Sequence, residues 1–317
     1  MKKMYLANFN LTFGMKDEPL LNWLDEYVIP ALNSGIRREM SNKTTVMFEN
    51  VKVEEIEKGQ LILTGVIIKD TVLDIHNQYS DESGLIDTEQ HHKSAPYSVF
   101  IIFLHNHRMA LVKRQSGSPD LRLFVSSLME VLKEYRKKEN KVRKEKNAPL
   151  LPYAVNGIKG IKDEKDISVA LQSVKKVKKL TLKLLPRNNE WGGWDGLIDD
   201  LDEQIRKESG SKTVKVVVPS PQSKFGVEKI LKETNGLLQT ELDVEYYSDD
   251  LDSEGKERKN VGKIRDNQMT QAMEVELPDE LRDSTKNIYK YCKEIDSLNV
   301  KTSNIVDYEK YLARRKR

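Results

Sequence analysis

The sequence predicts an α+β protein of two domains, each built on a mainly antiparallel sheet with flanking helices. Three observations carry that expectation. Strand-length apolar runs recur along the chain and are joined by short turns, which suit hairpins. Helical spacing of apolar residues appears in segments with recognisable start and stop signals, but few of these lie where a parallel crossover would need them. Pro149 and Pro152 follow a highly charged stretch and divide the chain into residues 1–146 and 157–317, with a linker at about 147–156.

The elements follow in order. Tyr5, Ala7, Phe9, Leu11 and Phe13 alternate along one face of a half-buried strand. Asp17 to Pro19 opens a helix carrying Leu20, Leu21, Leu24, Val28 and Leu32. Val46 to Val53 and Gln60 to Asp70 read as strands around a Lys58-Gly59 turn, and Thr71 to Gln90 reads as a polar loop with a short ordered piece. Tyr97 to Leu104 and Arg108 to Arg114 form the clearest hairpin, with Asn106 in its turn. Asp120 is placed to cap a helix through Phe124, Leu128 and Leu132 that continues into the charged Lys133 to Lys146. In the second half, strands are expected at Val174 to Leu185, Thr213 to Val218 and Leu242 to Tyr247. Helices are expected at Gly196 to Lys207, Val227 to Thr234 and Asp279 to Leu298. Asp249 to Lys263 reads as a charged loop or hairpin tip, Met273 to Leu277 as its return strand, and Ala313 to Arg317 as a basic tail.

Charged residues make up 32% of the chain and apolar ones 38%, so the surface is expected to be densely charged around a real core. The formal net charge is only +3, so any affinity for a polyanion must come from how charge is distributed. A single cysteine, Cys292, allows no internal disulfide and no four-cysteine zinc site. That usage, with no apolar run long enough for a signal or a span, leads us to expect a cytoplasmic protein.

No phosphate-cradling glycine motif and no dinucleotide fingerprint is present, and no cofactor is expected. His91, His92, His105 and His107 contain metal-ligating atoms, but their hairpin and loop settings favour plain structural roles. Trp191 to Gly196, rich in glycine and tryptophan, reads as a turn anchored by two aromatic rings. A metal-dependent nuclease would need clustered carboxylates with a nearby lysine. Asp120, Asp243 with Glu245, and Asp163 with Lys165 are the nearest approaches, and none completes the pattern. The expectation is therefore a binding protein and not an enzyme, with a nuclease effector or an interaction scaffold as the alternatives.

Three basic clusters stand out. Lys133 to Lys146 is diluted by Glu134, Glu139 and Glu145, as on a solvated helix face. Lys175, Lys176, Lys178, Lys179, Lys183 and Arg187 contain no acid among them. On a strand, alternate side chains lie about 7 Å apart, close to the phosphate repeat of a nucleic-acid strand. Lys256, Arg258, Lys259, Lys263 and Arg265 lie in a loop just after five acids. These clusters are expected to contact phosphates without reading bases.

Several segments, taken together, resemble the RexA family, the DNA-binding components of a phage exclusion system. They are Tyr5 to Phe13 with the helix after it, Val46 to Ile75 with Gly59 in its turn, and Ala95 to Phe103 followed by Met109 to Arg114. Ser118-Pro119-Asp120-Leu121 with Phe124, Val177 to Pro186, and Thr213 to Pro219 extend the likeness over most of the chain. The KwaB type of defence protein is a related possibility. The resemblance implies sequence-tolerant binding of double-stranded DNA, a homodimer, and a membrane-protein partner encoded nearby. The chain departs from the family where a dense basic run would follow the later strand. Here Lys224, Lys229 and Lys232 alone keep the charge, which shifts the weight to Lys175 to Lys183.

Overall fold

The computed structural model describes residues 2–40, 44–184, 204–206, 208–211, 213–234, 236–247, 260–265, 273–276, 281–299 and 305–315. It is a mixed α+β fold with three sheets, and every strand pair in them is antiparallel. The chain opens with β1 (Lys2–Asn8), β2 (Leu11–Phe13) and β3 (Glu18–Pro19). The single long strand expected here is thus two, because the chain turns at Phe9-Asn10. β1 joins the large sheet, while β2 pairs with β3 and with a later strand. Then come α1 (Leu20–Trp23), a π-helical turn (Leu24–Val28) and α2 (Ile29–Leu32). Pro30 has no N–H to donate back along the helix, which accounts for the wide turn just before it.

The large sheet is completed by β4 (Arg38–Glu39), β5 (Thr45–Glu57), β6 (Gln60–Ser80), β7 (Gly84–Ser94), β8 (Tyr97–Phe103) and β9 (Arg108–Lys113). After α3 (Leu121–Glu145), the short β10 (Ala154–Asn156) pairs with β2, and β11 (Lys159–Gly160) adds to β1. The second half contains α4 (Glu164–Gln172), β12 (Val174–Leu184), β13 (Val214–Pro219), α5 (Lys224–Glu233), β14 (Gln239–Tyr246) and β15 (Asn260–Arg265). It continues with β16 (Met273–Val275), α6 (Leu281–Lys293) and α7 (Ile305–Arg315).

The large sheet runs β11-β1-β9-β8-β6-β5-β4, with β16 also on β1 and β7 on β6. Its central strands are buried on both faces. Phe100 and Ile102 of β8 point into one core with Phe9, Phe48, Phe124 and Leu128. Val99, Ile101 and Phe103 point into a second core with Ile288, Tyr289 and Cys292 of α6. That is why the hairpin reads as an unbroken apolar run.

Several expectations change here. Thr71 to Gln90 is not a loop but the outer part of β6 and most of β7, a two-stranded arm closed by Gly84 at φ +70°. β16 is not the return strand of a hairpin with β14, because it pairs with β1. Ala313 to Arg315 is not a tail but the end of α7. In that helix Tyr308 donates to the Gly59 carbonyl at 2.8 Å and Tyr311 donates to Asp25 at 3.0 Å. Strand pairs therefore cross the expected linker, and β11, β16, α6 and α7 pack on the first sheet. The Gly196 to Lys207 helix falls largely outside the described residues.

Phe124 meets Phe9, Phe48 and Phe100 edge-on, with centroids at 6.4, 5.5 and 5.2 Å. Phe124→Ala should cost about 3–5 kcal/mol. A lowered urea midpoint at unchanged transition slope is the readout.

Candidate nucleic-acid interface

The four-stranded sheet β13-β12-β14-β15 carries the basic run. Asp163 caps α4 by accepting from Lys165 N at 2.7 Å, and Ser223 caps α5 by accepting from Gly226 N at 2.9 Å. These helices cover one face. Ile167, Leu171, Val227 and Leu231 pack there on Val177, Leu180, Leu182, Leu242 and Val244.

Strict alternation along β12 would send half of its lysines into that core. Two β-bulges prevent this. The register with β14 slips between Val174 and Lys176 and again between Val177 and Lys179. Lys175 and Lys178 are the extra residues, so each Lys-Lys pair occupies one place in the pleat. Val174, Val177, Leu180, Leu182 and Leu184 are buried, while Lys175, Lys176, Lys178, Lys179 and Lys183 all stay on the outer side.

β12 is an interior strand, and its neighbour β14 presents Glu241, Asp243 and Glu245 to the same outer face. Lys178 Nζ lies 3.2 Å from Glu245, and Lys179 makes a close ion pair with Asp243. From the other side, Lys263 approaches Glu241 at 3.1 Å and Asp243 at 3.5 Å, and Arg265 Nε reaches Glu241 at 3.2 Å. A column of carboxylates thus runs between two columns of cations. The hydrogen bond from Lys179 holds the Asp243 carboxyl below its ordinary value, and the bond from Lys263 does the same for Glu241. Its bond to Glu241 in turn raises Lys263.

The run has no acid of its own, as its sequence shows, but counter-charge reaches it from a strand distant in sequence. Lys176 and Lys183 make no ion pair with a carboxylate among the described residues. Lys183 stands directly opposite Lys215 of β13 in the strand register. Lys263 and Arg265, expected in a loop, lie on β15. Arg187, Lys256, Arg258 and Lys259 lie outside the described residues, as do Trp191 and Trp194.

The basic stretch of α3 is compensated in part, by glutamates within it and outside it. Lys133 meets Glu130 at 3.2 Å, Lys137 meets Glu134 at 2.7 Å, and Arg143 meets Glu139 at 3.1 Å and Glu26 at 2.9 Å. Asp120 caps α3 by accepting from Leu123 N at 2.8 Å. His107 is buried and His105 half-buried in the β8–β9 turn. Burial lowers the pKa of both and pushes His107 down to about 3. His91 contacts Asp74 at 2.6 Å on the exposed arm, far along the chain from that turn. Among the described residues no three His, Cys, Asp or Glu side chains converge to hold a metal. Burial pushes the Cys292 thiol up to about 12, which makes it a poor nucleophile.

The carboxylate column is what sequence reasoning missed. Its signal was present as Glu241, Asp243 and Glu245 at period two, alternating with Thr240, Leu242 and Val244. No protein-family model matches the chain, and no curated protein sequence matches it. Among the described residues no helix is long and apolar enough to cross a membrane.

The depressed carboxyls set a sign for pH dependence. Such a group contributes stability that is full above its unfolded pKa and is lost as pH falls through its folded pKa. Asp243 should titrate below the ordinary aspartate range in a carbonyl-detected NMR titration, and Lys179→Met should move its midpoint upward. An unchanged midpoint would deny the pair any hold on the carboxylate.

Proposed function

We propose that the protein binds double-stranded DNA with little regard to sequence, through the outer face of the four-stranded sheet on its β12–β13 side. The observation that carries the reading is the register pair Lys183–Lys215. Like charges directly opposite on paired strands destabilise a sheet, and nothing in the core requires them there. A phosphate placed between them would turn that repulsion into two attractive contacts. Lys176 extends the strip along β12, and it also faces solvent without a carboxylate ion partner among the described residues. Lys178, Lys179, Lys263 and Arg265 are engaged with the carboxylate column and contribute less.

Binding is favoured over cleavage because the candidate nuclease acids have other employment. Asp120 and Asp163 cap helices, and Asp243 is held by lysines. The resemblance to RexA and KwaB proteins supplies the biological half of the proposal. On that basis the protein serves a phage defence or exclusion system, as a cytoplasmic homodimer that senses phage DNA or DNA–protein complexes and works with a membrane protein encoded beside it.

The test is salt-dependent affinity for unrelated duplexes. Each lost phosphate contact should lower the slope of log affinity against log salt by about 0.9. Lys176→Ala with Lys183→Ala should flatten the slope by about two units and weaken all duplexes alike. Asp243→Asn should strengthen binding by freeing Lys179 and Lys263. An unaltered slope in the folded double variant would show that the strip is only a solvated surface. Loss of DNA on adding Mg²⁺ or Mn²⁺ would replace the binding reading with a nuclease.

A further inference from the structure

Where the small sheet meets the start of α3 there is a cleft of about 600 Å³. That is the size of a small-molecule site. Leu121, Val125 and Met129 of α3 line it, together with Tyr5 and Ile158, and give it an apolar surface. Arg122, Lys159 and Arg265 bring cations to it, and Asp120 an acid.

Several hydrogen-bonding groups on this lining are unspent. Arg122 makes no ion pair or side-chain hydrogen bond among the described residues, and neither does the Tyr5 hydroxyl or the Gln239 amide. Asn156 accepts from Ile158 N through Oδ1 at 2.9 Å, which leaves its Nδ2 donors unused among the described residues. The N–H groups of Leu121 and Arg122 open α3 and have no helical carbonyl to bond. Other groups are occupied. Ser126 accepts from Arg38 and donates to Leu123 O at 3.2 Å, and Arg265 Nε is tied to Glu241 at 3.2 Å. Asp120 is turned to Leu123 N at 2.8 Å. Burial and the Asp120 carboxylate raise the pKa of the Tyr5 hydroxyl, which keeps it a donor.

Such a lining suits a ligand that is apolar over its faces, hydrogen-bonding at its edges and anionic at one end. A nucleobase carrying a phosphate has all three properties. We propose that the cleft holds one nucleotide unit, with its phosphate on Arg122, its base against Val125 and Met129, and its polar edges on Asn156 and Gln239. Gln239 stands opposite Lys183 in the strand register, so the cleft adjoins the strip proposed to bind DNA. The unit is either a free mononucleotide or an unpaired nucleotide at the end of a duplex on that strip. Only the second source rests on the nucleic-acid reading.

The full chain is titrated calorimetrically, without DNA, with AMP, GMP, CMP and UMP up to about 1 mM. At least one should bind, and its nucleoside should bind about tenfold more weakly or worse. Arg122→Ala should bring the nucleotide down to the nucleoside's level, and Gln239→Ala should narrow the preference among bases. Both positions are exposed, so the melting temperature of the unliganded variants should be unchanged. Lys215→Ala, on the strip but outside the cleft, should leave nucleotide affinity as it is. If the mononucleotides do not bind, the end-nucleotide source requires tighter binding of a duplex with a one-nucleotide overhang than of its blunt counterpart. Arg122→Ala should then remove that difference and leave the salt slope on blunt DNA intact. Failure of the DNA reading alone would show as mononucleotide binding without duplex binding. The proposal is overturned by a chain that binds no mononucleotide and does not prefer the overhang. Inorganic phosphate binding as tightly as the nucleotide would also overturn it, as would a folded Arg122→Ala variant that binds like the native chain.

Discussion

Most of the architecture depends on one constraint: β8 and β9 carry apolar side chains on both faces. A sheet of that kind must be covered on both sides, because every uncovered side chain forfeits about 25 cal/mol per Å² of apolar surface. One side is covered early in the chain by α1, α2 and α3, with Phe124 at the centre of the packing. Among the described residues, nothing before residue 273 supplies a helix for the other side. The chain builds its small sheet and then returns, so that β16 extends β1 and α6 lays Ile288, Tyr289 and Cys292 on Ile101 and Phe103. α7 then closes over the first side through Tyr308 and Tyr311, which are anchored to Gly59 and Asp25. The interleaving of the two halves is thus a consequence of the central hairpin.

The small sheet obeys the opposite condition. Two helices can cover only one face, and its outer face must be polar. β12 meets that requirement although its lysines come in adjacent pairs, because a bulge at each pair keeps both ammonium groups outside. The same bulges leave the apolar positions Val174, Val177 and Leu180 in register with the helices. The outer face is then stabilised by neutralisation across strands. Exposed pairs of this kind each contribute little, but their alternation along three strands favours these neighbours over like-charged ones.

How much of this was legible follows from how far apart the deciding residues are. The central hairpin was plain, because Val99 to Leu104 is an unbroken apolar run and its partner strand follows at once. The caps Asp120 and Asp163 lie at the helix starts they define, although only the first was recognised. The arm was obscured by its polar residues, although Leu73, Ile75 and Tyr79 do alternate with Asp74, His76 and Gln78. α7 was hidden by its final cations, although Tyr308, Tyr311 and Leu312 repeat at helical spacing. The bulges had no local signal: Lys-Lys beside Val fits an ordinary strand just as well until the partner register is known. The counter-charges of Lys178 and Lys179 come from Glu245 and Asp243, and no local pattern connects a strand to a neighbour that far along the chain. A charge run read in isolation therefore overstates its field.

That last point decides where on the sheet an anion would bind, if the proposed reading holds. A lysine already bonded to a carboxylate must give up that bond before it can serve a phosphate, so the exchange gains little. Lys178, Lys179, Lys263 and Arg265 are all in this position. The carboxylates they hold would also repel a backbone laid over β14. Lys183 and Lys215 are in the reverse position, since their proximity raises the energy of the free protein and an anion between them lowers it. The carboxylate column then acts as a boundary as well as a stabiliser. In the proposed reading it would direct a polyanion away from the middle of the sheet and toward the edge at β13, where Lys183 and Lys215 have no carboxylate ion partner among the described residues.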